Sequence, residues 1–334
     1  MGSCCASVKI NPQIRKDFQV NTSKQELEIT GIKSQKPEEI ETIPLTRIII
    51  RGVVPESKEV SAQEKTLFLS GTDNPNYFVP YGITFSCKKG IKSTPTNQDD
   101  FSIIQENGIL IISVFDGHGI YGNDASHYLH IILPHMILSH PKFPEDIDLI
   151  LKETYFKCNI FLNKYLENLG KSTELSGSTC TLIILINNIL YTSNIGDSKA
   201  ILIKESNNIK LTIDHKPSDS IELERIIKSG GLVRTSSTEV CSRIFAKGKN
   251  LPGICVSRAF GDSLAQTIGV VAEPDINKRE IRNDDVFIVV GSDGVWEFLS
   301  DLQVCDLVKN SDNPAKAVAD FSWTKWRENE NDAF

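Results

Sequence analysis

Carboxylates placed directly at the ends of apolar, β-branched runs constrain this chain more than any other feature. Asp116-Gly117-His118-Gly119 follows Ile109–Phe115 (ILIISVF) without a break, and Asp293-Gly294 follows the run VFIVVGS. Asn194-Ile195-Gly196-Asp197 ends another such run, and Gln98-Asp99-Asp100 precedes Phe101–Ile104. A single acidic residue at a strand end is ordinarily a turn or cap residue. Repeated beside several apolar strands, the pattern has a different meaning. Glycine lets a backbone carbonyl approach a cation, and the carboxylate supplies a hard oxygen ligand.

The remaining periodicity fits that frame. Thr179–Ile186, Ile189–Ile195, Ala200–Lys204 and Val286–Val290 read as short strands, with Asn187-Asn188 as a tight hairpin turn. Helical spacing appears in Ala125–Leu138, Ile147–Leu169 and Ser220–Lys228, the last stopped by Gly230-Gly231, and again within Leu302–Trp326. Grouped strands with helices gathered between them predict an α+β layered fold. The stretch from Val8 to Lys65 is polar and mixed in charge apart from Ile48-Ile49-Ile50, and reads as a leader with one added strand.

The donor types select the metal. No His or Cys cluster has the short spacing of a zinc site. Of the six histidines, four fall in His127–His140, on or just after a helix, where they line its surface or core. An all-oxygen set suits Mg²⁺ or Mn²⁺, and a pair of such ions suits attack of water on phosphorus. A formal charge of −7 argues against a nucleic-acid partner. The eight cysteines are scattered except for Cys4-Cys5, which fits a reducing, cytoplasmic setting. No cysteine is followed six residues later by arginine, so a cysteine-dependent phosphatase is excluded.

The chain opens Met1-Gly2-Ser3-Cys4-Cys5. Gly2 is a candidate for myristoylation and Cys4 and Cys5 for palmitoylation, which together would hold the chain on the inner face of a membrane. No apolar run is long enough to span a bilayer.

Val114-Phe115-Asp116-Gly117-His118-Gly119, Gly177-Ser178-Thr179, Gly196-Asp197-Ser198, Asp214-His215-Lys216-Pro217, Ser257-Arg258-Ala259-Phe260-Gly261-Asp262 and Ser292-Asp293-Gly294-Val295-Trp296-Glu297 occur in that order. Together they resemble the type 2C, metal-dependent protein phosphatases, the PPM family, over residues 81–334. The resemblance implies a four-layer α-β-β-α sandwich, two antiparallel sheets flanked by helices, following a leader over residues 1–80. It implies hydrolysis of phosphoserine and phosphothreonine in proteins by a monomeric enzyme with two Mg²⁺ or Mn²⁺ ions. Asp116 would bridge the metals, with the Gly117 carbonyl completing one shell. Asp293 and Asp332 would bind the second ion, Asp99 would order the ions' water, and Asp197 and Glu297 match positions tied to a weaker third ion. His118 would protonate the leaving oxygen.

Three departures from the family pattern stand out. Lys92 replaces the arginine that grips phosphate, with Lys88 and Lys89 nearby, and lysine holds phosphate as a point charge without a bidentate fork. Gln98 stands where many members have glutamate. The last apolar strand of the family is missing after Asp332. Between Gly231 and Gly253, the segment Thr235–Lys249 lacks strand or helix periodicity and matches the family's flap beside the active site. There Lys247 and Lys249 are candidate partner-selecting residues. The competing expectation is a catalytically silent phosphatase fold that docks phosphoproteins.

Overall fold

In the computed structural model, the strand Ile109–His118 sends Ile109, Ile111 and Phe115 to one side and Leu110, Ile112 and Val114 to the other. Side chains on a strand alternate between faces, so a strand covered on both faces reads as a continuous apolar run. Val286–Val290 behaves likewise: Phe287 and Val289 pack one way, Ile288 and Val290 the other. These double-sided strands generate three apolar layers, and the layers define the fold. The structure describes residues 2–10, 47–53, 66–72, 74, 77–91, 96–235 and 241–331.

The larger sheet runs β16 (Asp275–Glu280), β9 (Ile189–Ile195), β8 (Cys180–Ile186), β6 (Ile109–His118), β5 (Asp99–Glu106), β2 (Arg47–Val53) and β3 (Thr66–Ser70). Two short strands, β7 (Gly177–Ser178) and β15 (Phe260–Gly261), extend it at the end of β6. The second sheet runs β11 (Asn208–Lys210), β10 (Lys199–Lys204), β17 (Asp285–Gly291), β1 (Gly2–Lys9) and β4 (Ile83–Lys89). Pairing within both sheets is antiparallel.

Helices α1 (Gly122–Leu138) and α2 (Ile147–Asn168) cover the outer face of the larger sheet through Leu129, Leu133, Leu151 and Tyr155. On the outer face of the second sheet lie α6 (Asp301–Lys309) and α7 (Pro314–Asn331), through Val304, Val308 and Val318. The expected four-layer α-β-β-α sandwich of two antiparallel sheets is therefore the observed architecture. The Asn187-Asn188 turn is also as expected: both residues have positive φ, 50° and 63°, as a type I′ hairpin requires.

Two expectations are corrected. Gly2–Lys9, expected to open a leader, is built into the fold. It is an interior strand, paired to β17 through Cys5↔Gly291 and to β4 through Cys4↔Cys87. Cys4, Ala6 and Val8 face the inter-sheet core while Cys5 faces the helices, and Cys4 and Cys5 are both buried. Gly2 opens the strand opposite Lys89. β2 and β3, also before residue 80, join the other sheet. The strand was not foreseen because small Cys, Ala and Ser residues satisfy a tightly packed strand as well as a lipid-anchor motif.

The second correction concerns Thr235–Lys249. Its described part joins a three-stranded sheet of β12 (Gly231–Thr235), β13 (Ser242–Ala246) and β14 (Pro252–Ile254). Within β13 only Ile244 is fully buried, so the stretch carries little apolar periodicity. It is organised by backbone pairing and by packing on α3 (Ser220–Lys228) and α4 (Ser263–Gln266).

Candidate metal centre and active site

The acidic turns converge. β5 and β6 pair in a register that sets Asp99 opposite Asp116, and β6 ends there. Thr179 fixes the Asp116 backbone from both sides: its hydroxyl accepts from the Asp116 amide at 3.2 Å, and its own amide donates to the Asp116 carbonyl at 3.0 Å. Gly117 has no room for a side chain, since a Cβ there would lie 2.2 Å from the Gly122 carbonyl oxygen. Asp197 follows β9 through Gly196, whose φ of +96° suits glycine. The Gly196 amide donates to His215 Nδ1 at 3.1 Å, and His215 Nε2 meets Asp275 Oδ2 at 3.1 Å. Asp293 opens α5 (Asp293–Trp296), immediately after β17 and Ser292.

One carboxylate oxygen from each of Asp116, Asp197 and Asp293 lies within 4.8 Å of the others, and all three residues are buried. Burial, and then the Asp99 charge, push the Asp116 carboxyl up to about 7. Burial, followed by the charges of Asp116 and Asp197, drives Asp293 well above the usual carboxylate range. Asp293 Oδ1 is buried without a hydrogen-bond donor. Like charges gathered out of water, with one oxygen left unpartnered, fit a divalent cation that relieves the repulsion. The nearby protein cation is Lys216, whose Nζ donates to Asp197 Oδ2 at 2.5 Å. Burial disfavours charge on Lys216, but Asp197 holds its pKa above the ordinary lysine range.

Beside the cluster, His118 Nε2 lies 2.6 Å from Asp262 Oδ2. Enclosure of the ring disfavours its charge, yet the Asp262 carboxylate and its hydrogen bond raise the His118 pKa. Asp262 sits at φ +46°, and a Cβ on Gly177 would come 2.1 Å from the Phe260 carbonyl oxygen and 2.4 Å from Asp262 Oδ2. Only glycine at 177 lets Asp262 reach the histidine.

Asp99, Asp116, Gly117, His118, Asp197 and Asp293 are thus brought into one neighbourhood. Asp99 is fully buried and accepts from Ser292 Oγ at 2.5 Å. Glu297 is exposed on the same side and adds to the charge felt by Asp293. Lys92 and Asp332 lie outside the described residues. Lys88 is ion-paired to Asp320, and the Gln98 amide donates to the Gly119 carbonyl at 2.6 Å, bracing the Asp116–Gly119 turn.

Lys216, Thr179 and His215 are not among the candidate site residues read from the sequence, although each sits inside a quoted motif, and Asp262 carries no specific role in that reading. Their motif positions were visible. Their contacts, made across tens of residues, were not. A second grouping, Asp100 with His127 and His130, places two of the helix histidines against a strand. Burial pushes His130 down to about 4, with Arg51 also opposing its protonation, so His130 serves as a neutral core group.

The family described as "Protein phosphatase 2C" matches residues 91–324. "Probable protein phosphatase 2C 52" of Oryza sativa subsp. japonica is 32% identical over 231 residues, covering 69% of this chain and 44% of that protein. "Probable protein phosphatase 2C 59" of Arabidopsis thaliana is 30% identical over 237 residues, covering 69% of this chain and 71% of its own length. The chain spans about half the length of several of these curated relatives, such as 56% and 52% of two others. Among solved structures, the serine-threonine phosphatase 2C from Toxoplasma gondii superposes with a TM-score of 0.65 at 21% identity, covering 74% of this chain and 91% of that one. A sex determining protein from C. elegans gives a TM-score of 0.61 at 20% identity, covering 71% of this chain and 60% of that one. At these identities the two structures speak for the fold.

Proposed function

Because the chain belongs to the protein phosphatase 2C family, we propose that it hydrolyses phosphoserine and phosphothreonine esters in proteins at a pair of Mg²⁺ or Mn²⁺ ions. The observation that carries this reading is the buried convergence of Asp116, Asp197 and Asp293 around an unpartnered carboxylate oxygen, beside the His118–Asp262 pair. Asp116, Asp293 and the Gly117 carbonyl would hold the two ions, with Asp332 completing the second shell. Asp197 and Glu297 would hold a third, weaker one. All these donors are oxygen, as hard divalent ions prefer.

Bound there, the cations supply Lewis acidity and a water of lowered pKa, and offset phosphoryl charge. The protein's own part is positional and protonic. Asp99, fixed by Ser292, orients water at the centre. His118, its pKa raised by Asp262, keeps a protonated ring available as the general acid for the leaving serine or threonine oxygen. Asp262 holds that ring in place through Nε2. Lys92 would attract the phosphate as a point charge.

The working state is a single chain in a reducing compartment. No helix among the described residues is long and apolar enough to cross a membrane, and the buried Cys4 and Cys5 leave palmitate out of this reading.

The test is phosphate release from a phosphothreonine peptide with Mn²⁺ or Mg²⁺, then with EDTA, for the parent chain and Asp293→Ala. Release that needs metal and vanishes in the variant supports the reading. A folded chain that binds the phosphopeptide but releases no phosphate at any metal concentration would establish the docking protein instead.

A further inference from the structure

We propose that Cys241 and Cys255 are an oxidation site: a dithiol that a peroxide closes into a reversible disulfide across the β13–β14 hairpin. Their sulfurs stand 2.8 Å apart, closer than unbonded sulfur atoms normally rest and approaching the about 2.05 Å of a disulfide bond. Cys241 immediately precedes β13 and Cys255 immediately follows β14. The strands between them are held in register by Ile244↔Ile254 and by Arg243 Nη1 donating to the Gly253 carbonyl at 2.7 Å. The backbone therefore already presents the two thiols to each other, so closure orders little new chain.

Accessibility separates this pair from every other cysteine. Of the eight, only Cys241 and Cys255 are partly exposed, and the other six are buried. Cys4 and Cys87 also face each other across a strand pair, but at 0% and 5% exposure they lie beyond the reach of a dissolved oxidant.

The chemistry assigns an order. Burial, and then the adjacent Cys241 sulfur, push the Cys255 thiol up to about 12, which suits it to the second, resolving step. The Cys241 sulfur attacks one peroxide oxygen and gives up its proton, the O–O bond breaks, and the departing hydroxide takes up a proton as water. The resulting sulfenic acid is attacked by the Cys255 sulfur. Its hydroxyl group leaves as a second water with the Cys255 proton, and the S–S bond forms. Two thiols and one peroxide thus give one disulfide and two waters, and an added dithiol reverses the step.

The position gives the bond something to act on. Cys255 lies two residues before Ser257, whose hydroxyl donates to Glu222 at 2.5 Å. The same segment continues to Asp262, the partner of His118. On the phosphatase reading, a cross-link here would stiffen the strand that delivers that carboxylate.

The test reads thiols and not turnover, so it stands apart from the phosphatase assay. The folded full chain is alkylated with iodoacetamide before and after a brief stoichiometric exposure to hydrogen peroxide, then digested and mapped by mass spectrometry. Before oxidation, Cys241 and Cys255 should carry nearly all the label. After it, both should lose the label, appear as one linked peptide pair lighter by two hydrogens, and regain labelling with dithiothreitol. In Cys255→Ser, a sulfenic acid at Cys241 should be trapped by dimedone. Undiminished labelling of both cysteines after peroxide, a disulfide mapped to any other pair, or direct passage of Cys241 to sulfinic acid in the parent chain would each overturn the proposal.

Discussion

The backbone amide of Cys4 donates to Ser292 Oγ at 3.1 Å, joining the first strand of the chain to the residue just before Asp293. The same hydroxyl donates to Asp99 Oδ2 at 2.5 Å. A packing element and a site carboxylate therefore share one serine. Ser292→Ala would strip Asp99 of its buried donor and orphan the Cys4 amide. Loss of a donor to a buried charged group costs about 2 kcal/mol. We expect Ser292→Ala to lower the urea midpoint accordingly and to cut phosphate release at least tenfold, whereas Ser292→Thr, which keeps the hydroxyl, should retain most of both.

The crowded carboxylates predict a trade between stability and metal response. Removing one charge relieves repulsion in the metal-free protein while deleting a ligand. Asp293→Asn should raise the melting temperature measured in EDTA, by the equivalent of about 1 kcal/mol. The parent chain should gain stability as Mn²⁺ is added, and the variant should not. A variant that melts lower than the parent in EDTA would show that Asp293 is held by groups other than its acidic neighbours.

Glu222 sets a pH dependence. Its carboxylate receives two guanidinium nitrogens of Arg225, Arg258 and the Ser257 hydroxyl. Burial opposes its ionisation, but these donors win and lower its pKa from 4.5 to about 2. A depressed folded-state value means the contribution is complete above pH 4.5 and drains away as pH falls towards 2. Glu222→Gln should cost about 3 kcal/mol near neutrality, as when one partner of a buried ion pair is removed. The gap to the parent should shrink to less than half by about pH 3. Denaturant titrations at the two pH values test this, and an unchanged gap refutes the assignment.

Gly177 and Gly248 make a contrasting pair. At Gly177 a methyl would strike the Phe260 carbonyl oxygen and the Asp262 carboxylate, whereas nothing lies within 4 Å of a Cβ at Gly248, whose only demand is its φ of +74°. Gly248→Ala should cost about 1 kcal/mol through backbone strain alone. Gly177→Ala should cost about 3 kcal/mol or more, in the range of overpacked sites, and should abolish turnover by displacing Asp262. Melting curves and phosphate release on both variants decide it.

The role of β1 is measurable through Val8, which is buried in the inter-sheet core, and the exposed Lys9 beside it. Val8→Ala should destabilise by about 2 kcal/mol and Lys9→Ala by under about 0.5 kcal/mol. A leader outside the fold would make both changes neutral in a denaturation experiment.

What the sequence disclosed follows physical lines. Ile109–Phe115 and Val286–Val290 are packed on both faces, so their runs were unmistakable, and the glycine-flanked Asp116 and Asp293 after them, with Asp197 after β9, announced the site. Gly2–Lys9 was illegible as strand because Gly, Ser and Ala outnumber its one strong β former, Val8, and its pairing partners lie far away in the chain. Asp262 was hidden for a related reason. It reaches His118 only through a left-handed backbone turn beside Gly177, and no local pattern encodes a contact across 144 residues. The small sheet of β12, β13 and β14 escaped because most of its side chains face solvent or lie only half covered.

A strand formed by residues 2–9 but bracketed by residues 83–89 and 285–291 also sets a timetable. During synthesis, β1 is made long before β17, one of the two strands it pairs with. Entropy of joining grows only slowly with the length of the intervening chain, so the finished sheet loses little by this arrangement. The nascent chain bears the consequence. Until β17 leaves the ribosome, a row of Cys, Ala and Val side chains and an unpaired backbone edge remain open to any passing strand.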